Sequence, residues 1–416
     1  MTTERAYWLA WSRIKDVGPV TIKRLWEHFG ALSVAWQASA SELLAVDGIG
    51  LLSAEKIIRQ RPKLIPDALL AQHEQENQSF WTPADPDYPK LLFTINDPPP
   101  LLYYRGSLRL NDPNVLTVGM VGTRRPSAYG KRWTQRLSRQ LTQQGAIVIS
   151  GLAAGIDTDA HTSCLSQKGL TVAVMGTGAD VVYPHFNNSL YEWVVKTGLV
   201  VSEYPDGTGP DRSHFPQRNR IIAGLSRALL VMEAPARSGA LITARLANDY
   251  CREVYALPTS LDNDQGQGCL HLISQGAQMI LDSQSLMAAL EALPAVAAIA
   301  TAATALPDEA SPNLHSAQQP AAQQPSDRSA DQRLERASDR QLPVAAQTTA
   351  KDLAQLELEL APLLRQVLAA VSVEPVVLDQ IVQCAQIDTG AVLGALVQLE
   401  ISGLVVQLPG MHYQRI

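Results

Sequence analysis

The stretch Val115-Leu-Thr-Val-Gly-Met-Val-Gly-Thr-Arg-Arg-Pro-Ser127 decides the fold of this chain. It begins as a short apolar run, typical of a strand buried on both faces, and ends in a glycine-containing turn before a helical pattern near Tyr129. Helical patterns of about 10–15 residues separate most of the apolar runs that follow. This alternation predicts a doubly wound, mostly parallel α/β sheet. The further runs lie at Ala146–Ser150, Leu170–Met175, Leu199–Ser202, Ala228–Met232, Val254–Leu257 and Ala277–Ile280.

The turns after these strands should line the binding edge of the sheet, because right-handed crossovers bring them to the carboxyl ends of the strands. Glycines there let the backbone approach a phosphate, arginines can clamp it, and a serine at a helix start offers its hydroxyl and amides. The first turn lacks the GxGxxG pattern and the acidic residue of a dinucleotide site, so we expect no cofactor. The candidate residues are Gly122, Thr123, Arg124 and Arg125 after the first strand, Ser150 and Gly151 after the second, and Ser238 and Gly239 after the fifth.

The passage His214-Phe-Pro-Gln-Arg-Asn-Arg-Ile-Ile222, with Arg212 just before it, combines an aromatic ring with amides and arginines. This composition is typical of single-stranded nucleic-acid sites, where guanidiniums follow the phosphates and a ring stacks on a base. The alternative is a ring in the core and a solvated face of arginines, but three arginines around one aromatic in a sheet loop favour binding. The expected contacts come from Arg212, Phe215, Arg218, Asn219 and Arg220.

The positive charge of the chain is concentrated in two blocks. The 416 residues include 34 Lys and Arg against 40 Asp and Glu, a net charge of −6 that by itself argues against a nucleic-acid partner. Six basic residues and no acidic one lie between Arg124 and Arg139, and four basic residues and no acidic one lie between Arg212 and Arg227. This asymmetry predicts nucleic-acid binding at one place on an acidic body, with an affinity that falls as salt rises.

Changes in composition divide the chain into four segments. Residues 1–78 have helical periodicity with two glycine-containing hairpins, which indicates either a SAM or helix-hairpin-helix-like domain or a plain helical bundle with tight turns. Residues 79–284 carry the predicted sheet after an extended segment rich in Pro, Asp and Tyr. Residues 285–355 are rich in Ala, Gln, Pro and Ser and predict a disordered linker. Residues 356–416 predict a winged-helix domain of three helices and a hairpin.

The N-terminus and the cysteines indicate a cytoplasmic protein without a metal site. Charged residues recur through the first 18 positions, which leaves no apolar core for a signal peptide. The Ala-rich stretch 286–306 is too weakly apolar to span a membrane, so we expect no membrane partner. The four cysteines form no CxxC pair, so neither zinc nor a disulfide framework is expected.

Five motifs follow one another along residues 85–280. They are Gly122-Thr-Arg124, Ser150-Gly-Leu-Ala-Ala-Gly-Ile-Asp157 with Ala160-His161, Ser202-Glu-Tyr-Pro205, Phe215-Pro-Gln-Arg-Asn-Arg-Ile-Ile-Ala-Gly-Leu225 and Ser238-Gly-Ala-Leu-Ile-Thr-Ala244. In order and spacing they resemble the DNA-processing protein A (DprA/Smf) family, in which Phe-Pro-x-Arg-Asn-Arg is a highly specific motif.

The resemblance implies a Rossmann-like fold that binds single-stranded DNA, forms a homodimer and helps load the RecA recombinase during natural transformation, with single-strand binding protein as a further partner. It implies no catalytic residue. It places a DNA pocket at Gly122, Thr123 and Arg124, with Arg212 and Phe215 on the opposing loop. A later loop departs from the family, because Gly268-Cys-Leu-His-Leu-Ile273 carries Leu where the family usually has Asn.

Two other functions stay open on the residues alone. A Rossmann-like nucleotide or phosphoribosyl hydrolase could use Glu203, Glu233 or Asp157 as acid or base, although the Pro-Gly-Gly-x-Gly-Thr loop of that class is absent. Asp157 and His161 share a helix face and could form an acid–base pair or act only as cap and hydrogen-bonded structural group. In a structural adaptor, the winged helix would do the recognition. Its third helix carries no Lys or Arg, which favours partner docking over reading of the DNA major groove.

Overall fold

A computed structural model gives the fold and describes residues 3–77, 79–294 and, with short gaps, 362–415. The chain forms two compact units, Met1–Pro312 and Asn313–Ile416. The first unit opens with helices that pack around Trp8, Trp11 and Trp36. These helices are α1 (Glu4–Ser12), α2 (Pro19–Phe29), α3 (Leu32–Gln37), α4 (Ala40–Leu44), α5 (Leu51–Gln60) and α6 (Pro66–Glu76).

A nine-stranded sheet follows in the order β1-β2-β6-β5-β4-β3-β7-β8-β9. Strands β3 to β9 pair in parallel, which confirms the predicted doubly wound sheet. Each predicted apolar run forms one of these strands. The strands are β1 (Phe80–Trp81), β2 (Leu102–Gly106), β3 (Thr117–Gly122), β4 (Ile147–Ser150), β5 (Thr171–Met175), β6 (Leu199–Ser202), β7 (Ala228–Glu233), β8 (Glu253–Ala256) and β9 (Gln278–Met279).

Helices cover both faces of this sheet. Successive side chains of a strand point to opposite faces, so Met120 joins the core under α8, α9 and α14, while Val121 joins the core under α11, α12 and α13. Both cores are apolar because central parallel strands are buried on both sides. The helices are α7 (Lys90–Phe93), α8 (Ala128–Gln143), α9 (Ile156–Ser166), α10 (Asn188–Thr197), α11 (His214–Leu225), α12 (Gly239–Asp249), α13 (Gln267–Ser274) and α14 (Ser283–Glu291).

The order of strands reverses between β3 and β7. Strands β4, β5 and β6 are added on one side of β3, whereas β7, β8 and β9 are added on the other. The helices after β3 and β7, which are α8 and α12, therefore lie on opposite faces. Their diverging turns leave a crevice at the carboxyl ends of the strands, which is where open α/β sheets bind ligands.

The segment 79–112 is not only the extended connector that the sequence predicts. Strand β2 pairs antiparallel with β6, with Tyr103 opposite Ser202, and β1 pairs antiparallel with β2. Leu102 and Tyr103 are buried by this pairing. The prolines around β2 conceal its short apolar pattern, and its partner β6 lies about a hundred residues further along the chain.

The sheet unit also extends beyond the predicted boundary at residue 284. Helix α14 buries Leu286, Met287 and Leu290 against the sheet, so residues 285–291 are not linker. The prediction is wrong here because the alanines around these residues hide an amphipathic face with i, i+1, i+4 spacing. Residues 295–361, which contain the rest of the predicted linker, lie outside the described residues.

The described residues of the second unit, from 362 to 415, form three helices and three strands. Its strands pair antiparallel in the order β10-β12-β11, and its core includes Ile381, Leu396 and Leu399. The predicted winged-helix pattern is confirmed, with β10 as an additional strand. The elements are α15 (Pro362–Ala369), β10 (Val376–Val377), α16 (Leu378–Ala385), α17 (Thr389–Ile401), β11 (Val405–Leu408) and β12 (His412–Arg415). Across the ranges that the structure describes, none of the helices in either unit has the length and apolar character needed to cross a membrane.

Candidate nucleic-acid interface

An open groove of about 780 Å³ lies at the crevice between β3 and β7. Its walls are the turn after β3, the turn after β7 and the first turns of α11. A smaller pocket of about 160 Å³ adjoins it and shares Arg124, Tyr183 and Phe215 with the groove. The groove thus brings together residues from both of the basic blocks in the sequence.

The β3 turn (residues 122–127) is held by backbone and side-chain hydrogen bonds. The Thr123 amide donates to the carbonyl oxygen of Glu233 at 2.6 Å, and the Thr123 carbonyl accepts from the Ile156 amide at 3.2 Å. The Thr123 hydroxyl accepts from the Arg125 amide at 3.2 Å and donates to Gln265 Oε1 at 3.2 Å. Thr123 is therefore occupied in shaping the turn, while Arg124 and Arg125 remain exposed beside it.

The Glu233 carboxylate fixes the far end of the same turn. One oxygen accepts from the Ser127 amide at 2.7 Å, and the other accepts from the Ser127 hydroxyl at 2.7 Å and from Asn263 Nδ2 at 3.0 Å. Ser127 in turn caps α8 by accepting from the Gly130 amide at 3.1 Å. With three hydrogen bonds accepted inside the protein, the carboxylate is a structural anchor rather than a free acid or base.

Phe215 provides the aromatic surface of the groove. Its ring lies against Gly176, where an added Cβ would come within 2.9 Å of a ring carbon. The Tyr183 ring centroid is 5.6 Å away, and the Arg124 guanidinium carbon lies 5.5 Å from the Phe215 centroid, within cation–π range. A half-buried ring and a cation are thus within reach of a single nucleotide.

Four exposed arginines surround this ring and line the groove. No carboxylate among the described residues lies within ion-pair distance of any of them. The planar, positively charged guanidinium group is suited to bidentate contacts with phosphate. They are Arg124, Arg125, Arg212 and Arg237.

Arg218 has a different position from the one the sequence suggests. It is buried, and its Nη1 donates to the carbonyl oxygens of Gly151, at 2.7 Å, and of Val174. It thereby joins the carboxyl ends of β4 and β5 below the groove. Burial lowers the pKa of Arg218 to about 10, although Asp157 acts in the opposite direction, so the side chain stays charged at neutral pH.

Arg220 is also internal. It pairs with Glu203 at 2.5 Å and with Asp97 at 3.3 Å. Burial would lower the pKa of Arg220, but the two carboxylates raise it overall. Asn219, which is also buried, donates from Nδ2 to the Gly239 carbonyl at 3.2 Å. Arg220 therefore lies behind the walls of the groove, while Asn219 is part of its lining and ties α11 to the start of α12.

The remaining candidate residues also include some that are buried and support the site and others that line the groove or the small pocket. Ser150 is fully buried and donates to the Met120 carbonyl at 2.6 Å, so it joins β4 to β3. Gly151 lines the small pocket and leaves the space that the Arg218 guanidinium fills. Ser238 caps α12 by accepting from the Ala240 amide at 3.2 Å, and Gly239 beside it is exposed in the groove. Gly122 also lines the groove.

The carboxylates of the hydrolase hypothesis all have internal partners. Asp157 accepts from the amides of Gly151 and Ala153 at 3.1 and 3.3 Å, and burial raises its pKa. Burial also raises the pKa of Glu203, against the effect of Arg220. His161 Nδ1 lies 2.7 Å from the Thr171 hydroxyl, and burial lowers its pKa to about 3, so it is neutral at pH 7.

Several residues that line the groove were not among the predicted contacts, and Tyr183, Arg237 and Gln265 are three of them. Tyr183 and Arg237 follow β5 and β7, so their position after a parallel strand was a usable signal. Gln265 comes from the loop between β8 and α13, where the sequence departs from the family pattern. That loop still makes polar contacts, through Gln265 to Thr123 and through Asn263 to Glu233.

The two kinds of arginine should respond differently to mutation. We expect Arg220→Ala to lower the free energy of unfolding by about 3 kcal/mol, since it leaves Glu203 and Asp97 without their cation. Arg124→Ala removes an exposed side chain that makes no ion pair, so it should change the free energy of unfolding by less than about 0.5 kcal/mol. Urea unfolding followed by circular dichroism measures both. Equal losses in the two variants would contradict the division into internal and exposed arginines.

Comparisons with known proteins agree with this architecture. A family model described as DNA recombination-mediator protein A matches residues 79–291, and a DprA winged helix domain model matches residues 350–411. Protein Smf from Synechocystis is 48% identical and covers 99% of both chains. DNA processing protein DprA from Streptococcus pneumoniae is 41% identical over 56% of this chain and 82% of its own.

A solved structure extends the likeness to the fold. The crystal structure of DNA processing protein A from Streptococcus pneumoniae superposes with a TM-score of 0.59 and 34% sequence identity, covering 69% of this chain and 98% of that one. The motifs, the sheet with its crevice and the two family models therefore agree. The chain belongs to the DNA recombination-mediator protein A (DprA/Smf) family.

Proposed function

We propose that this protein is a non-catalytic mediator that binds single-stranded DNA in the groove between β3 and β7 and helps load a RecA-type recombinase onto it. The observation that carries the proposal is the position of Arg124, 5.5 Å from the Phe215 ring, at the mouth of an open groove with three further exposed arginines. Membership of a recombination-mediator family supports the same assignment.

Single-stranded rather than duplex DNA fits this chemistry. A half-buried ring at the floor of a groove can stack only on a base that is free of its partner strand, whereas the guanidiniums bind phosphates without regard to sequence. We assign direct contacts to Gly122, Arg124, Arg125, Arg212, Phe215 and Gly239, with the added contacts of Tyr183 and Arg237. We assign roles in shaping the groove, by hydrogen bonds within the protein, to Thr123, Ser150, Gly151, Arg218, Asn219, Arg220 and Ser238.

The absence of catalysis is part of this proposal. Each carboxylate that a nucleotide hydrolase could use is engaged by an arginine, by backbone amides or by Ser127 and Asn263. A general acid or base needs a proton-accepting atom that faces the substrate. Asp157 lines the groove but already accepts from the amides of Gly151 and Ala153, whereas Glu203 and Glu233 are not among the groove-lining residues. The hydrolase hypothesis therefore lacks an unengaged acid or base among these three carboxylates.

We further propose a cytoplasmic homodimer that acts on incoming strands during natural transformation and displaces or works beside single-strand binding protein. The domain plan assigns 1–78 to a helical accessory domain, 79–291 to DNA binding and 356–416 to a winged helix that docks a partner. The winged helix is given this role because its longest helix, α17, carries no Lys or Arg.

The DNA site can be tested with three groove variants, one control variant and fluorescence anisotropy of a labelled oligothymidine. Phe215→Leu keeps an apolar side chain but removes the stacking face, and should weaken binding by about 1–3 kcal/mol. Arg124→Lys keeps the charge but loses the bidentate fork, so it should bind more weakly than the wild type and more tightly than Arg124→Ala. Lys196→Ala, at an exposed position on α10, is the control and should bind normally.

Wild-type affinity in both Phe215→Leu and Arg124→Ala would place the DNA elsewhere on the protein. Truncation of residues 351–416 distinguishes binding in the groove from the adaptor hypothesis, in which the winged helix does the recognition. If the winged helix recognised DNA, that truncation would abolish binding, whereas the proposal predicts that binding of single strands persists.

The mediator step has its own measurement. RecA filament assembly on single strands coated with single-strand binding protein should be accelerated by the full-length protein, because a protein that holds the strand can offer it to the recombinase. Phe215→Leu should accelerate assembly less at the same concentration. If the wild type binds the strand but leaves the lag of assembly unchanged, the DNA site stands and the recombinase-loading role does not.

A further inference from the structure

Helix α8 begins where the β3 turn ends and carries a row of three arginines along its solvent-exposed side. The row comprises Arg132, Arg136 and Arg139, at i, i+4 and i+7, so the three side chains follow one face of the helix. The opposite face is the one that packs on the sheet unit, through Thr134, Leu137, Ser138 and Leu141. With 1.5 Å of rise per residue, the row extends about 10 Å along the helix axis.

This arginine row is not explained by the stability of the helix. The sequence of α8 contains no acidic residue, and like charges four residues apart repel each other. Among the described residues, neither Arg132 nor Arg139 has a carboxylate within ion-pair distance.

Arg136 is held in an ordered position on the same face. Its guanidinium carbon lies 5.1 Å from the Trp133 ring centroid, and its Nη2 lies 3.5 Å from the Ser283 hydroxyl. Neither contact neutralises its charge. The neighbouring Lys131 adds a further cation, although it approaches Asp159 at 3.7 Å.

The row continues the positive lining of the groove. Arg125 lines the groove and lies three residues before the start of α8, so the helix that carries Arg132 and Arg139 begins at the edge of the groove. Gln135 and Gln143 lie beside these arginines, and the two aromatic residues at the edge of this face, Tyr129 and Trp133, are partly buried against the core of the sheet.

We propose that this arginine row binds the phosphates of the DNA strand where it leaves the groove, which lengthens the footprint of the protein by about three phosphates. The inference rests on the proposed function of the groove, because it assigns a path to the same strand. It predicts that long strands bind more tightly than short ones and with a steeper dependence on salt, since each neutralised phosphate releases counterions.

The test compares two oligothymidines, one of about 6 and one of about 24 nucleotides, which span the usual range of single-strand site sizes. In the variant Arg132→Gln/Arg136→Gln/Arg139→Gln, the slope of log K against log salt for the long strand should fall by about 2, at roughly 0.7 per lost phosphate contact. Binding of the short strand should not change. The control Lys90→Gln/Lys168→Gln/Lys196→Gln removes the same charge from exposed positions outside the row and should match the wild type on both strands.

The outcomes test the arginine row and the proposed function of the groove independently. An unchanged slope for the long strand in the row variant would overturn the inference, while Arg124→Ala still weakening the short strand would keep the proposed function. Failure of the wild type to bind either strand would overturn both. A row variant that loses binding to duplex DNA or to anionic vesicles, but not to the long single strand, would assign the row to another ligand. Circular dichroism melting checks that the row variant is folded.

Discussion

The site depends on one buried carboxylate, that of Glu233 at the carboxyl end of β7. Its hydrogen bonds to Ser127 and Asn263 join the turn after β3 to the loop after β8, and its backbone carbonyl accepts from Thr123. These bonds cross the crevice where the strand order reverses. A carboxylate shielded from water makes strong hydrogen bonds to amides, so the β3 turn is set in place before any ligand arrives.

The arginines of the site form two layers, one buried and one exposed. Arg218 and Arg220 hold the strand ends and α11 from below, whereas Arg124 and Arg212 face the solvent without a carboxylate partner within the described residues. The buried cations shape the groove, and under the proposed function the exposed cations would attract phosphate. The groove can therefore be electropositive although the chain as a whole has a net charge of −6.

The sequence predicts the sheet well because each central strand is a local apolar run. It places Arg124 at the edge of the sheet because it follows a parallel strand, and it singles out Phe215 because the ring lies among arginines; the structure brings these two residues together. It does not distinguish internal from exposed arginines. Arg227, counted in the second basic block, is buried and donates to the carbonyls of Leu293 and Pro294 at 2.6 and 2.7 Å. Such partners lie far along the chain and leave no local pattern. The sequence does not predict β2 for the same reason, because its pairing with β6 is long-range.

The central claim is that a single strand occupies the groove at the crevice between β3 and β7. Hydrogen–deuterium exchange of the full-length protein, with and without saturating oligothymidine, tests it directly because exchange reports on backbone amides residue range by residue range. The account predicts slower exchange in residues 122–127 and 214–217 when the strand is bound, and unchanged exchange in α16 and α17. Protection confined to the winged helix, or no change at the groove under saturation, would contradict it.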